Sequence, residues 1–252
     1  MENENINLEE EKEYENGFKP KEVHLKDTYK FYRRGIFYRI WNKIVVYLFA
    51  IIFGFYKFFI AGYKVTGKKN LKIKGAMVLS NHIHAFDAIL FLSSFARHNL
   101  IYATTLESNL GFPIVSRLFT GGGAVPIPTK SLTLMRNFKK GTLKTLNDGY
   151  KIVFFPEGHL VLNSKRVRPF MSGAFHYAFD STKIIVPAVL TLHKPKGIYK
   201  ILRKNKPSIR YNILEPYYMK DLGTKKQSIA KAMDDVYKIM NDYYLENSDF
   251  LK

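Results

Sequence analysis

"AMVLSNHIHAFD", residues 76–87, changes character twice. Its first half is a short apolar run, its middle is polar and carries two histidines, and from Asp87 onward apolar residues return in "DAILFLSSFAR". A short apolar run bounded by polar residues reads as a buried strand. The stretch therefore predicts a strand at Ala76–Ser80, a loop, and a helix from about Asp87 to Arg97. Outward from it the alternation continues, with strands near Leu100–Leu106, Ala124–Ile127, Lys151–Phe155, Ile184–Leu190 and Ser208–Tyr218. Between and after them lie helices near Phe112–Phe119, Ser131–Leu146, Gly173–Phe179 and Ser228–Tyr244. The helix at Ser131 is the clearest: Leu132, Met135, Phe138, Leu143 and Leu146 recur near helical spacing, with lysines and arginines around the rest. Such alternation predicts an α/β fold, one mixed and largely parallel sheet with flanking helices. No internal repeat is visible.

Ahead of that domain lie two segments of different composition. Residues 1–27 read as an acidic flexible tail: the first sixteen hold seven acids and one lysine, and too few apolar side chains to repay ordering. Residues 28–66 read as a basic and apolar membrane-associating segment, and 67–252 as the main α/β domain. Ile44–Tyr56 is uninterrupted "IVVYLFAIIFGFY". With Phe58, Phe59 and Ile60 it approaches the ~20 apolar residues a spanning helix requires. Basic residues flank it on both sides, Lys30, Arg33, Arg34, Arg39 and Lys43 before it and Lys64, Lys68 and Lys69 after it. Both flanks thus favour the cytoplasmic side, which fits a helix lying in the interface, or dipping in and returning, better than a single span. The run starts too far from the N-terminus for a signal peptide. A buried core helix is the competing reading, and an apolar run with no polar face argues against it.

The chain has no cysteine and a formal charge of +19. Thiol nucleophiles, thiolate metal sites and disulfides are excluded together. The basic surplus seeks polyanions: an anionic membrane surface, phosphorylated small molecules, or nucleic acid. No nucleic-acid-binding motif accompanies it, and much of the aromatic content sits in apolar runs, so no nucleic-acid partner is expected.

The polar loop can be read as a metal site, as a catalytic pair, or as an N-cap aspartate beside ordinary surface histidines, and position alone does not choose among them. His82, His84 and Asp87 lack the spacing of common zinc sites, and no other histidines show paired ligand spacing, so no metal is expected. A catalytic pair needs less: one imidazole to accept a proton and one carboxylate to orient it. Asp87, near a helix start, is favoured as an anion, and a loop of this length can bring His82 to it. His84 then becomes a rim residue. A second stretch, "FFPEGHL" at Phe154–Leu160, follows a strand and turns at Pro156 and Gly158. Both loops would open at one end of the sheet, where ligands bind in α/β folds.

Together these stretches resemble the glycerolipid acyltransferase family, the lysophosphatidic acid acyltransferases in particular. The family's signatures are Asn-His-four residues-Asp, here "NHIHAFD", and Phe-Pro-Glu-Gly, here "FPEG" at Phe155–Gly158. Weaker agreement runs through "GGGAVPIP", "SGAF" and "IIVPAVL", so the resemblance covers roughly Gly67 to Leu190. It implies transfer of a fatty acyl group from a thioester, acyl-CoA or acyl carrier protein, to the free hydroxyl of a lysophospholipid. The acceptor most in keeping with the family is 1-acylglycerol 3-phosphate, another lysolipid being the alternative, and no cofactor is required. In this reading His82 is the general base, Asp87 orients it, and Phe155, Pro156, Glu157 and Gly158 bind the acceptor. Where many members carry an arginine after the glycine block, this chain has Thr129 and Lys130, and His159–Leu160 replace the usual Thr-Arg. Lys130, Lys165, Arg166 and Arg168 are therefore the candidates to meet the acceptor phosphate, Arg168 before Pro169 foremost. The expected location is the cytoplasmic face of the cell membrane, held peripherally or by a single anchor.

Overall fold

The computed structural model describes residues 23–60, 62–96, 100–111, 113–204 and 206–250. Most of the acidic tail read at 1–27, and the predicted helix end at Arg97, lie outside them. In chain order the elements are α1 (Ile36–Phe55), β1 (Lys64–Thr66), β2 (Met77–Ser80), α2 (Asp87–Ser94), β3 (Ile101–Leu106), α3 (Pro113–Gly122), β4 (Ala124–Ile127) and α4 (Leu132–Asn147). There follow β5 (Lys151–Phe154), α5 (Gly173–Phe179), β6 (Ile184–His193), α6 (Tyr199–Arg203), β7 (Ser208–Ile213), β8 (Tyr217–Tyr218) and α7 (Lys225–Asn247).

The strands form one sheet in the order β1-β7-β6-β2-β5-β3-β4, with β8 also paired to β6. From β6 to β4 neighbouring strands are parallel, whereas β7 and β8 run antiparallel to β6 and β1 is parallel to β7. The sheet is mixed and mostly parallel. Its central strand β2, "MVLS", is buried on both faces, which is why it reads as a continuous apolar run and not as an alternation. Phe138 of α4, Phe175 of α5 and Val236 and Met240 of α7 join the buried core. Ser131 caps α4 by accepting the Leu134 N–H, and Thr224 caps α7 by accepting the Gln227 N–H, which satisfies donors that helix starts leave unpaired.

Three features depart from the sequence reading. The strand expected over Ser208–Tyr218 is two strands on the same partner β6, interrupted at residues 214–216 where Pro216 has no N–H to offer the ladder. Lys64–Thr66, assigned above to the membrane-associating segment, pairs with Arg210–Asn212 as the edge strand β1. The third concerns α1.

Helix α1 begins before the apolar run, at Ile36, and its chain continues as a π-helical turn, Tyr56–Ile60. Asn42, Val45, Val46 and Phe49 are its buried residues, spaced as one stripe of a helix. That stripe seats on α3: Asn42 Nδ2 donates to the Gly121 carbonyl at 2.9 Å and Tyr38 Oη to the Thr120 carbonyl at 2.8 Å. Gly121 is required there, since a Cβ would sit 2.5 Å from Trp41 Nε1. The remaining surface of α1, including Phe37, Ile40, Ile44, Ile51 and Phe55, is exposed. Residues 36–59 are, by length and composition, long and apolar enough to cross a membrane. The helix is thus core on one stripe and uncovered hydrocarbon on the others.

Candidate active site

The loops after β2 and β5 leave neighbouring strands at the same end of the sheet, where Leu79 is in register with Phe154. They meet through their backbones: the Val161 N–H donates to the His82 carbonyl at 3.3 Å and the Asn163 N–H to the Ile83 carbonyl at 3.0 Å. The first loop is pinned at its root by Asn81. This buried side chain donates to the Leu190 carbonyl at 3.0 Å and accepts the Leu190 N–H at 2.7 Å, so it stitches the end of β2 to β6.

His82 Nδ1 lies 2.9 Å from Asp87 Oδ2. Asp87 is fully buried, while the His82 side chain remains 24% exposed. The same Oδ2 accepts the N–H groups of Ile83 at 2.9 Å and His84 at 3.0 Å. The anion is therefore held by loop amides, not by the first turn of α2 as the sequence suggested. A carboxylate so placed accepts the Nδ1–H hydrogen bond and fixes the tautomer, leaving Nε2 as the ring's acceptor. The Phe155 ring stacks on the imidazole with centroids 4.5 Å apart and planes at 30°, which fixes the ring's plane.

His84 plays a different part. Its Nδ1 accepts the Phe86 N–H at 3.2 Å and its Nε2 lies 3.1 Å from the Tyr56 hydroxyl in the π turn. With Nδ1 accepting, the neutral ring carries its hydrogen on Nε2 and donates it to Tyr56. The loop after β2 is in this way tied to the end of α1. Phe86 adds to the link by packing edge-on against Phe53 at 5.3 Å.

Glu157 and Arg168 form a buried pair behind His82. Arg168 Nη2 donates to Glu157 Oε2 at 2.6 Å and also to the His159 carbonyl. The backbone N–H groups of His82 and Arg168 donate to the same carboxylate, each at 3.2 Å. Burial pushes the Glu157 carboxyl above the ordinary carboxylate range, against the pull of the Arg168 guanidinium and of those amides. Arg168 is only 5% exposed. It is built into the wall of the site, with Nε and Nη1 lacking a protein partner. Gly158 takes a φ of 81°, and a Cβ there would meet the Met171 sulfur at 2.6 Å. The Pro156 carbonyl accepts the Met171 N–H at 2.7 Å, closing the turn.

Of the residues expected from sequence, the structure gathers His82, Asp87, Phe155, Pro156, Glu157, Gly158 and Arg168. Lys130 stands apart, exposed beyond the end of edge strand β4. Tyr56 and Asn81 were not singled out by sequence. Asn81 carried a signal in the signature itself, whereas Tyr56 closes an apolar run whose aromatics read as membrane-interface residues and not as part of a site. Among the described residues no three His, Asp or Glu side chains converge as metal ligands.

Comparison with known proteins places this geometry. A 1-acyl-sn-glycerol-3-phosphate acyltransferase of Limnanthes douglasii is 26% identical over 73% of this chain and 62% of its own length. One from Borreliella burgdorferi is 28% identical over 52% of each chain. The matching part thus spans less than two thirds of these curated relatives. The crystal structure of the 1-acyl-sn-glycerophosphate (LPA) acyltransferase PlsC from Thermotoga maritima shares the fold, with a TM-score of 0.52 at 18% identity over 80% of this chain and 78% of the other. The Acyltransferase family model matches residues 62–191, from the approach to β1 through both site loops and into β6. The chain belongs to the Acyltransferase family.

Proposed function

We propose that this protein is a membrane-associated O-acyltransferase that moves a fatty acyl group from a thioester to the free hydroxyl of a lysophospholipid, 1-acylglycerol 3-phosphate giving phosphatidic acid. The observation that carries the reading is the His82–Asp87 contact at 2.9 Å, with the acid fully buried and the imidazole partly open. His82 Nε2 takes the hydroxyl proton as the hydroxyl oxygen attacks the thioester carbonyl. Collapse of the tetrahedral adduct breaks the carbon–sulfur bond, and the imidazolium returns its proton to the departing thiolate. Asp87 offsets the positive charge on the ring during this cycle. No acyl-enzyme is formed, in keeping with a chain that offers no cysteine.

The donor is acyl-CoA or an acyl carrier protein; both bring the negative charge that a body of this basicity attracts. In this reading the wall formed by Phe155, Pro156, Glu157, Gly158 and Arg168 receives the acceptor, and Lys130 serves as an outlying phosphate contact. The exposed apolar flank of α1 rests in the cytoplasmic leaflet, where the acceptor resides. His82→Ala is expected to lower kcat by about 10²- to 10⁴-fold in a lysophosphatidate acylation assay followed by mass spectrometry, with the circular dichroism spectrum unchanged. Turnover within a few-fold of wild type would falsify the assignment.

A further inference from the structure

The link between β6 and β7 is far longer than pairing requires. Antiparallel neighbours can be joined by a two-residue turn, yet here residues 194–207 leave the sheet, form α6 and return. The excursion contains Lys194, Lys196, Lys200, Arg203, Lys204 and Lys206 and no acid. Its apolar residues face outward: Ile198, Leu202 and especially Ile201, at 77%, are exposed. Arg203 is the exception among the basic residues. It is buried and donates from Nε to the Pro207 carbonyl at 3.0 Å, and from Nη2 to the same atom at 2.5 Å, so it holds the excursion's shape.

This patch does not stand alone. The Tyr199 hydroxyl donates to the Phe58 carbonyl at 2.5 Å, which joins α6 to the π turn that ends α1. Around that joint Phe55 lies 4.7 Å from Phe59, and Phe59 4.8 Å from Phe58, centroid to centroid, all three rings exposed. The apolar surface therefore runs without a break in the chain contacts from α1, through the π turn, onto α6. A hydrocarbon ridge bordered by lysines has the make-up of an element that lies in a bilayer interface, apolar side chains below the headgroups and amines among the phosphates.

We infer that α6 is a second membrane-docking element, which inserts Ile198, Ile201 and Leu202 into an anionic bilayer beside the end of α1. The inference rests on the reading of α1 as the membrane-associating segment and adds to it. A single helix lying on a bilayer leaves the domain free to roll about the helix axis; a second contact removes that freedom. Since the π turn touches both α6, through Phe58, and the catalytic loop, through Tyr56 and His84, the second contact fixes the active-site loop relative to the lipid surface.

The chain has no native cysteine, so Ile201→Cys accepts a single environment-sensitive fluorophore on the full-length protein. With vesicles containing phosphatidylglycerol the probe is expected to shift to shorter wavelength and to be quenched by lipids carrying a nitroxide on the acyl chain. The same probe at Lys226→Cys, on α7, should stay unchanged. Ile198→Asp/Ile201→Asp should weaken vesicle affinity by about tenfold or more, and Ile40→Asp/Ile44→Asp in α1 tests the parent reading separately. Vesicle binding lost in the α1 variant but unaltered in the α6 variant, with a silent probe at 201, would overturn the inference and leave the α1 reading intact. Failure of the wild-type protein to bind any vesicle would overturn both. A probe response to an acidic carrier protein with none to vesicles would assign the patch to a protein partner and overturn it as well.

Discussion

Position 84 shows how one ring can tie the loop after β2 to the end of α1. Burial holds the His84 imidazole below its ordinary range; Asp87 pulls it upward, while Arg203 and His82 push it down further. The unfolded ring takes its proton near pH 6.5 and the folded one at lower pH. Between the two the unfolded chain binds more protons, and stability falls as pH drops. Protonation of Nδ1 would also remove the acceptor for the Phe86 N–H. His84→Asn is accordingly expected to lose less stability than wild type between about pH 7.5 and about pH 5.5, compared by thermal melting; equal losses would rule out this ring as a source of the acid sensitivity. The Glu157–Arg168 pair makes a second residue-scale case. Arg168→Met strands a buried carboxylate and is expected to cost about 3–5 kcal/mol in denaturant unfolding, part of which Glu157→Gln in the same chain should restore. A cost below about 1 kcal/mol would mean that the pair contributes little to holding the wall. Sequence exposed the His82–Asp87 pair because a histidine five residues before a helix-start acid has few geometries open to it. It could not expose the task of Arg168, since among 40 lysines and arginines no local pattern marks the one whose guanidinium turns inward.

At the scale of elements, the parallel core was the legible part. Strands buried on both faces, such as β2 and β5, announce themselves as short apolar runs, and α4 by its spacing and its serine cap. Short elements were not legible. β1 is three residues of "KVT" whose strand character comes from its partner β7, and α6 is five residues inside a lysine-rich stretch; neither is long enough to show a period. Helix α1 was legible as apolar but not as docked, because its seat is made by glycines elsewhere in the chain. Gly121→Val tests that seat. The new side chain would strike Trp41, and overpacking of this kind costs about 1–3 kcal/mol. As Trp41 is the sole tryptophan, a shift of its fluorescence reports directly on the displaced helix; unchanged emission and stability would show that α1 does not depend on this close approach.

For the molecule as a whole, the order in which its parts become available follows from how far apart they lie along the chain. The contacts that seat α1 and β1 span wide separations: Asn42 waits for Gly121, which lies 79 residues downstream, and Thr66 for Asn212, 146 residues on. During synthesis the oily helix is made well before α3 exists to receive its buried stripe. Until then all of its faces, including the stripe later hidden against α3, are open to whatever hydrocarbon is at hand. A ribosome-stalled chain ending before Pro113 is expected to co-float with liposomes, and its confinement to the aqueous fraction would contradict this order of events. Under the proposed function a bilayer thus has first claim on the helix, and the domain assembles against a segment already resting where the proposed acceptor is found.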